Sequence, residues 1–425
     1  MPESTPVPKP RSILRSLGLG LITGAADDDC SAIGTYAQAG AQLGYAALWT
    51  APVLLPMMVV VVYLSGKVGK VTGQGLFRVL RNHAPRWLSF MVLAGVVTGN
   101  VIEAGADLGG MAAALGILVP LPHWAIVFAV TAAVLVLQIW GSYGLIRNVF
   151  RLLAMSLLAY VFSAFRSHPA WGEVARGTLL PRIGFDRNSL SILVALIGTT
   201  LSAYLYSWQA NQEVEEKEAE GKHSLRKRRG ASDEELKTSL WDVVFGMFFS
   251  NAVMYFIILS AAATLFAAGH HNINSALDAA EALRPVAGRA AGLLFTLGIV
   301  GVGFLAVPVM TSGAAYDVSQ TFDWISGLHH KPGYARRFYG AIVFFTLVAM
   351  GLNFIGIEPM RALVIAGMVQ GFSTPPLMLL LLIMTNRRSI MGDKVNRPLA
   401  NIMGGITTAV IFAASACLLY SWLHR

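Results

Sequence analysis

The chain has 425 residues, of which 55% are hydrophobic and only 13% charged, with a formal net charge of +9 at pH 7. A composition so apolar excludes an ordinary soluble domain, and the basic excess reads as cytoplasmic loops of a membrane protein rather than as a nucleic-acid surface. Two cysteines, Cys30 and Cys417, both in apolar segments, exclude a disulfide framework and a cysteine-rich metal site.

Residues 1–13 are rich in Pro and Ser, lack the layout of a cleaved signal peptide, and are expected to be a disordered cytoplasmic N-terminus. Apolar runs of about 20 residues then recur to the end of the chain, the length that crosses the hydrocarbon core as a helix. They predict eleven spans: 14–42, 46–65, 88–117, 122–142, 146–165, 189–212, 239–267, 288–318, 335–356, 360–385 and 399–423. The connections are short, so residues 14–425 are expected to form one all-α membrane domain. The longest polar interruption, 213–237, reads as a solvated cytoplasmic loop with a helical extension of span six. With the N-terminus inside, 24 of the 32 Lys and Arg residues fall in inside loops, which predicts a cytoplasmic N-terminus and an outside C-terminus. The cell (plasma or inner) membrane is the expected location.

Span one carries GAADDDCSAIGTY, residues 24–36, with Asp27, Asp28 and Asp29 in a row. A carboxylate at bilayer depth costs at least ~2.5 kcal/mol, so three together must face a polar cavity or bind a cation. Another reading starts the span later and lets the triplet cap it in water. That reading leaves Leu14 to Thr23 apolar with nothing to bury it, and IGTYAQAGAQLGY too short and polar to span alone.

Span three contains NVIEAGADLGG, with Glu103 and Asp107 four residues apart on one helix face and no basic residue beside them. They are expected to line a cation path. Span six, LVALIGTTLSAYLYSWQANQEVEE, has a polar seam of Gly198, Thr199, Thr200, Ser202, Tyr204, Tyr206, Ser207, Gln209 and Asn211. Spans one and six open two five-span halves, about 14–165 and 189–385, with 399–423 as an extra helix. Interrupted helices at corresponding positions of two halves point to a transporter substrate site. Gln370 with Ser373, Thr374, Pro375 and Pro376 predicts an irregular span ten that approaches the same place. Asp242 and Asp317 lie near span ends and are expected at the interface, as are Trp49, Trp87 and Trp124. The His pairs 270–271 and 329–330 lack carboxylate or Cys neighbours in sequence.

QAGAQLGY, residues 38–45, resembles the end of helix one in the Nramp divalent-metal transporters. Counting back, Asp29, Cys30, Ser31 and Ala32 fall on that family's Asp-Pro-Gly-Asn. Ser202, Ala203 and Tyr204 fall on its Met-Pro-His, and TNRRSIMG, residues 385–392, is similar to its loop after helix ten. The Asp triplet with TTLSAYLYSWQANQEVEE is closer still to the Nramp-related magnesium transporters, a divergent branch. The resemblance implies a LeuT-like inverted 5+5 repeat with an eleventh helix, helices one and six interrupted, and transport of a divalent cation. It places Asp107 on an acidic position of the inner, proton-linked pathway.

Where the family pairs Asp and Asn oxygens with a soft thioether, this chain has Ser202 and Ala32, leaving a hard, oxygen-only, roomy set. Mg²⁺ prefers oxygen and keeps part of its water shell. The expected ligands are therefore Asp29, then Asp28, with Thr199, Thr200 and Ser202; Asp27, Ala32, Ala203, Tyr204, Glu103, Asp107 and Gln209 line the cavity and pathway. Partly hydrated Mg²⁺ is the expected substrate and Mn²⁺ the second. No resident cofactor and no nucleic-acid partner are expected, and the protein is expected to work in the bilayer as a monomer. Tyr204 replaces the family's His, and a phenol with a reference pKa near 10 does not relay protons at neutral pH, so weak or absent proton coupling follows. Both motif prolines are missing, replaced by Cys30 and Ala203. Gly24, Ser31, Gly34 and Gly198 are expected to loosen the helices instead, and Cys30 to fill proline's space rather than bind metal.

Three other readings compete with this one. A proton-coupled Mn²⁺/Fe²⁺ transporter is ordinary Nramp chemistry. A LeuT-like symporter for an organic cation or amino acid is opposed, for the amino acid, by three aspartates where its carboxylate would sit. An intramembrane aspartyl protease finds Tyr316-Asp317 but no Gly-x-Gly-Asp, and no P-loop supports ATP-driven pumping, so no enzyme is expected.

Overall fold

The structure, a computed structural model, describes residues 19–140 and 159–423, and these fold almost wholly into helices. The first span appears as two pieces, α1 (Leu19–Asp27) and α2 (Cys30–Leu43). Then come α3 (Thr50–Thr72), the short α4 (Leu76–His83), α5 (Arg86–Gly116) and α6 (His123–Trp140). The disordered N-terminus expected at 1–13 and most of the fifth span, 146–165, lie outside the described residues. After α7 (Trp171–Leu179), the sixth span is again two pieces, α8 (Arg187–Thr200) and α9 (Ala203–Ala219). The chain finishes with α10 (Asp233–Ala261), α11 (Ala291–Thr321), α12 (Arg336–Gly351), α13 (Pro359–Asn386) and α14 (Pro398–Leu423). Among the described residues nine helices, with α8–α9 taken as one, are long and apolar enough to cross a membrane. They coincide with nine of the expected spans. Trp87 and Trp124 are exposed on the outside of the bundle.

Both interruptions form without proline. At the first, Asp29 is extended (φ −67°, ψ −179°) and its side chain accepts from the Ala32 N–H, so it is the N-cap of α2. The capping expected of an aspartate triplet is real, but it happens inside the bundle and not in water, because all three aspartates are fully buried. At the second, Leu201 and Ser202 leave the helical region. The orphaned groups there find partners. The Ser202 hydroxyl reaches the Gly198 and Thr199 carbonyls, the Tyr206 hydroxyl donates to the Leu201 carbonyl at 2.6 Å, and the Ala203 N–H points to Gln370 Oε1 at 3.4 Å.

The glycines do a different job from the one expected. A Cβ on Gly24 would lie 2.2 Å from the Gly246 carbonyl oxygen of α10, and one on Gly198 would lie 2.0 Å from the Gly367 carbonyl oxygen of α13. They let backbones touch; they do not loosen helices. Gly24→Ala is therefore expected to cost ~1–3 kcal/mol by overpacking, read as a lower melting temperature in detergent. Gly95→Ala, which meets nothing within 4 Å, is expected to leave it unchanged; equal melting temperatures for the two variants would contradict this packing account. α13 also departs from expectation, because it stays helical through Pro375 and Pro376.

The basic loops meet on one face. Lys67 donates to Asn396, Lys70 pairs with Glu213 at 2.7 Å, Lys217 donates to the Arg228 carbonyl at 2.8 Å, and Arg78 pairs with Asp323. Glu213 and Lys217 are buried in this knot, so the start of the 213–237 segment is packed and not solvated, while the expected helical extension of span six is present. α7 lies at the other end, where Gly177 touches the Tyr45 carbonyl. Asp242, expected at the interface, is buried two turns into α10 and accepts the Gly20 N–H at 2.7 Å, holding α1 in place.

On the basic face, His329 does have carboxylate neighbours, contrary to expectation. Its ring nitrogens lie 2.6 Å from Glu215 and 3.1 Å from Glu218, while Tyr316 donates to Glu215 and Arg228 pairs with Glu218. The bond to Glu215 raises the His329 pKa against the opposing effects of partial burial and Arg228; burial and His329 lower that of His330. A raised histidine pKa means the clasp contributes fully below the ordinary value of ~6.5 and fades as pH rises through the raised one. Hydrogen exchange in the 322–335 loop is expected to speed up, beyond the chemical rate, as pH rises above the ordinary histidine value of ~6.5. That step should vanish in His329→Gln; its persistence there would assign it to another group.

Candidate metal site

The two breaks place their end groups side by side. Asp29 Oδ1 accepts the Ala32 N–H at 2.6 Å, and Asp29 Oδ2 accepts the Tyr204 hydroxyl, which sits 3.1 Å away and 2.7 Å from the Ala26 carbonyl. Tyr204 thus stitches α9 to the last turn of α1 and to the Asp29 cap. Asp107, on α5, accepts both the backbone N–H and the hydroxyl of Ser31 at 2.9 Å. The first turn of α2 therefore faces two carboxylates, a placement that its N-terminal dipole favours.

Glu103, one turn before Asp107, faces the second break. Its Oε1 lies 3.2 Å from the Ser202 hydroxyl, and its Oε2 accepts from Gln370 Nε2 at 2.7 Å. Gln370 also lies 3.3 Å from Asn100 Oδ1, so the approach of α13 expected from the sequence is present. The triplet itself divides. Asp29 turns toward α9, whereas Asp27 and Asp28 turn toward α10, where Ser250 stands 2.5 Å from Asp27 Oδ2 and 3.2 Å from Asp28 Oδ1.

Five carboxylates, Asp27, Asp28, Asp29, Glu103 and Asp107, are fully buried here. Among the described residues no Lys or Arg forms an ion pair with any of them. Asp27 Oδ1, Asp28 Oδ2, Asp107 Oδ2 and Thr199 Oγ1 are buried without any hydrogen-bond partner. All four are able to accept or ligate, and buried groups of this kind ordinarily have a partner. Chemically, the cluster is an oxygen-rich box of carboxyl groups with vacant lone pairs.

The remaining predicted residues divide. Thr200 is taken up by Tyr36, whose hydroxyl is 3.1 Å away, and Ala32 and Ala203 sit at the first turns of α2 and α9. Gln209 is not at the breaks; it accepts from the Thr23 hydroxyl at 2.6 Å and bridges to Glu213, closing the gap between α1 and α9 on the basic side. The cavity expected to be roomy is shut, since Asp29, Thr199, Ser202 and Tyr204 are all fully buried. Nor is the surroundings' chemistry purely oxygen, because the Met254 sulfur stands 3.9 Å from the Thr200 hydroxyl. Cys30 points away and reaches the Ile299 carbonyl at 3.3 Å. Ser250, Asn100, Tyr36 and Met254 escaped the sequence reading; Ser250-Asn251, a polar pair inside an apolar span, was the available signal.

Comparison with known proteins follows the same lines. Residues 20–421 match the family described as Natural resistance-associated macrophage protein-like, Nramp. The "Divalent metal cation transporter MntH" of Klebsiella pneumoniae (strain 342) is 26% identical over 392 residues, 91% of this chain and 89% of the relative. Its Aeromonas hydrophila counterpart is 27% identical over 430 residues, 99% of each chain. The crystal structure of the Eremococcus coleocola manganese transporter superposes with a TM-score of 0.73 at 18% identity, covering 98% of this chain and 88% of that one. Mhp1, a nucleobase-cation-symport-1 family transporter, superposes with a TM-score of 0.62 at 13% identity, covering 96% and 92%. These likenesses give the fold: the LeuT-like arrangement of two inverted five-helix repeats and an eleventh helix, interrupted at helices one and six. With the family matched over nearly its whole length and its interrupted helices meeting around buried carboxylates, this chain is a membrane transporter of the Nramp family.

Proposed function

We propose that the protein carries divalent cations by alternating access, Mg²⁺ with part of its water shell foremost and Mn²⁺ second, with little or no proton coupling. The observation that carries this reading is the set of four partnerless buried oxygens, three from carboxylates and one from the Thr199 hydroxyl, in a cluster of five carboxylates with no ion-paired base. A dication neutralises such a cluster, and oxygen-only ligation with retained water is the preference of Mg²⁺. Asp29 and Asp28 supply charge to the ion, and Thr199, Thr200 and Ser202 supply hydroxyls. The occluded arrangement opens to admit the hydrated ion, and the bonds from Thr23 to Gln209 and from Gly20 to Asp242 are those that break on the basic side.

The relatives' names support divalent-metal transport, since MntH is a divalent metal cation transporter. Tyr204, anchored on a carbonyl and on Asp29, supports uncoupled transport, because its hydroxyl proton is held and its reference pKa lies near 10. The meeting of the basic loops on one face supports a cytoplasmic N-terminus in the cell membrane, with residues 14–425 acting as one transport domain. We expect a monomer, with the cation as substrate and no resident cofactor. The Met254 sulfur beside Thr200 favours a second reading, in which Mn²⁺ is the main substrate and moves with protons.

The test is a proteoliposome loaded with a Mg²⁺ dye and a pH dye and given a Mg²⁺ gradient. Mg²⁺ entry without acidification, lost in Asp29→Ala, is the expected result. Mn²⁺ entry with acidification and no Mg²⁺ entry would establish the second reading instead.

A further inference from the structure

On the basic side of the second break, α9 presents Ser207, Asn211 and Glu215 at four-residue spacing, hence along one face. That face packs against α11. Asp317 of α11 was expected at the interface, yet it is fully buried, and neither carboxylate oxygen has a hydrogen-bond partner. The Ser207 hydroxyl, itself fully buried, stands beside it, close enough to interact with the carboxyl group. One turn further, Asn211 is buried with its amide oxygen taken by Gln320 at 2.6 Å and its amide nitrogen unpartnered. Beyond Asn211 opens a cavity of about 110 Å³ lined by Asn211, Glu215, Glu218, Tyr316, Gln320 and Arg78.

A structural role does not account for Asp317. Asp29, Asp242 and Glu358 each hold backbone N–H groups, but Asp317 holds none. A carboxylate at this depth is expensive and ordinarily marks an ion path. Ser207 lies five residues past Ser202, roughly 7.5 Å along the helix axis. The partnerless groups thus lead away from the central site toward the cavity on the basic face.

We propose that Asp317 and Ser207 form a second station for the transported divalent cation, occupied between the central site and the cavity lined by Asn211 and Glu215. The carboxylate supplies the charge, the hydroxyl an oxygen, and retained waters the rest, as suits a hard dication. This station rests on the reading of the protein as a divalent-cation carrier.

The experiment uses the full chain, with Mg²⁺ and Mn²⁺ as probes, measuring initial uptake in proteoliposomes and equilibrium Mn²⁺ binding in detergent. Asp317→Asn is expected to slow uptake of both ions about tenfold while central-site Mn²⁺ affinity stays within twofold; Asp29→Asn should lose that affinity. Weak Mn²⁺ binding left in Asp29→Asn should disappear in the double variant. Wild-type uptake in Asp317→Asn would overturn the station, as would an equal loss of central-site affinity, which would make Asp317 a support of the bundle. If Asp317→Asn does not fold, Ser207→Ala decides: a several-fold slower uptake supports the station and an unchanged rate overturns it. A wild-type protein that moves neither ion sinks the carrier reading itself, and the station with it.

Discussion

Replacing Asp29 by asparagine is expected to abolish divalent-cation uptake while leaving the fold intact. In the proposed reading Asp29 holds two jobs, capping α2 through the Ala32 N–H and presenting charge to the ion beside Tyr204. Asparagine caps a helix about as well as aspartate, so the first job survives and only the second is lost. Removing one charged partner from a buried pair costs about 3–5 kcal/mol, which corresponds to at least a ~100-fold weaker binding. Asp29→Ala removes both functions and should lower the melting temperature as well, by the ~1 kcal/mol of a lost cap. The pair of variants separates ligation from capping: calorimetric Mn²⁺ or Mg²⁺ binding falls in both, and stability falls only in the alanine. An asparagine variant that still binds and carries the ion within a fewfold of wild type would remove Asp29 from the ligand set.

That site was legible in the sequence because charge in hydrocarbon is costly. Asp27, Asp28, Asp29, Glu103 and Asp107 stood out against apolar flanks, and the structure buries all five together. The division of the triplet was not legible. Whether a side chain turns to α9 or to α10 depends on the extended backbone at Asp29, a conformation no residue spacing encodes. The glycines were misjudged for a related reason. A glycine in a helix reads the same whether it frees a hinge or admits a neighbouring backbone, and only the 2.2 Å approach at Gly24 and the 2.0 Å approach at Gly198 decide it. Asp242 and Asp317 read as interfacial in the sequence because they lie near the ends of the expected spans. The helices extend past those spans, to Asp233 on one side and Thr321 on the other, and so both residues lie within the bundle. Proline proved dispensable at both breaks because side chains satisfy the freed backbone groups: Asp29 and Asp107 at the first, Ser202, Tyr206 and Gln370 at the second.

In the proposed reading, ion preference turns on Ser202. Its hydroxyl lies at the second break, 2.9 Å from the Thr199 carbonyl and 3.2 Å from Glu103. Oxygen there keeps the set hard, whereas a sulfur at the same place favours transition metals and disfavours Mg²⁺. Ser202→Cys is expected to cut Mg²⁺ uptake about tenfold, the ~1.4 kcal/mol of one poorer ligand, while Mn²⁺ and Cd²⁺ uptake holds or rises. Ser202→Met should push the preference further, but it also forces a longer chain into a fully buried position, with an overpacking cost of ~1–3 kcal/mol. The near-isosteric cysteine is therefore the cleaner probe, and competition of Mg²⁺ against Mn²⁺ uptake is the measurement. A cysteine variant that keeps the wild-type Mg²⁺ to Mn²⁺ ratio would mean that Ser202 does not touch the ion. Selectivity would then have to be sought in Asp28, Thr199 and the Met254 sulfur beside Thr200, the other donors that the structure gathers around the same two breaks.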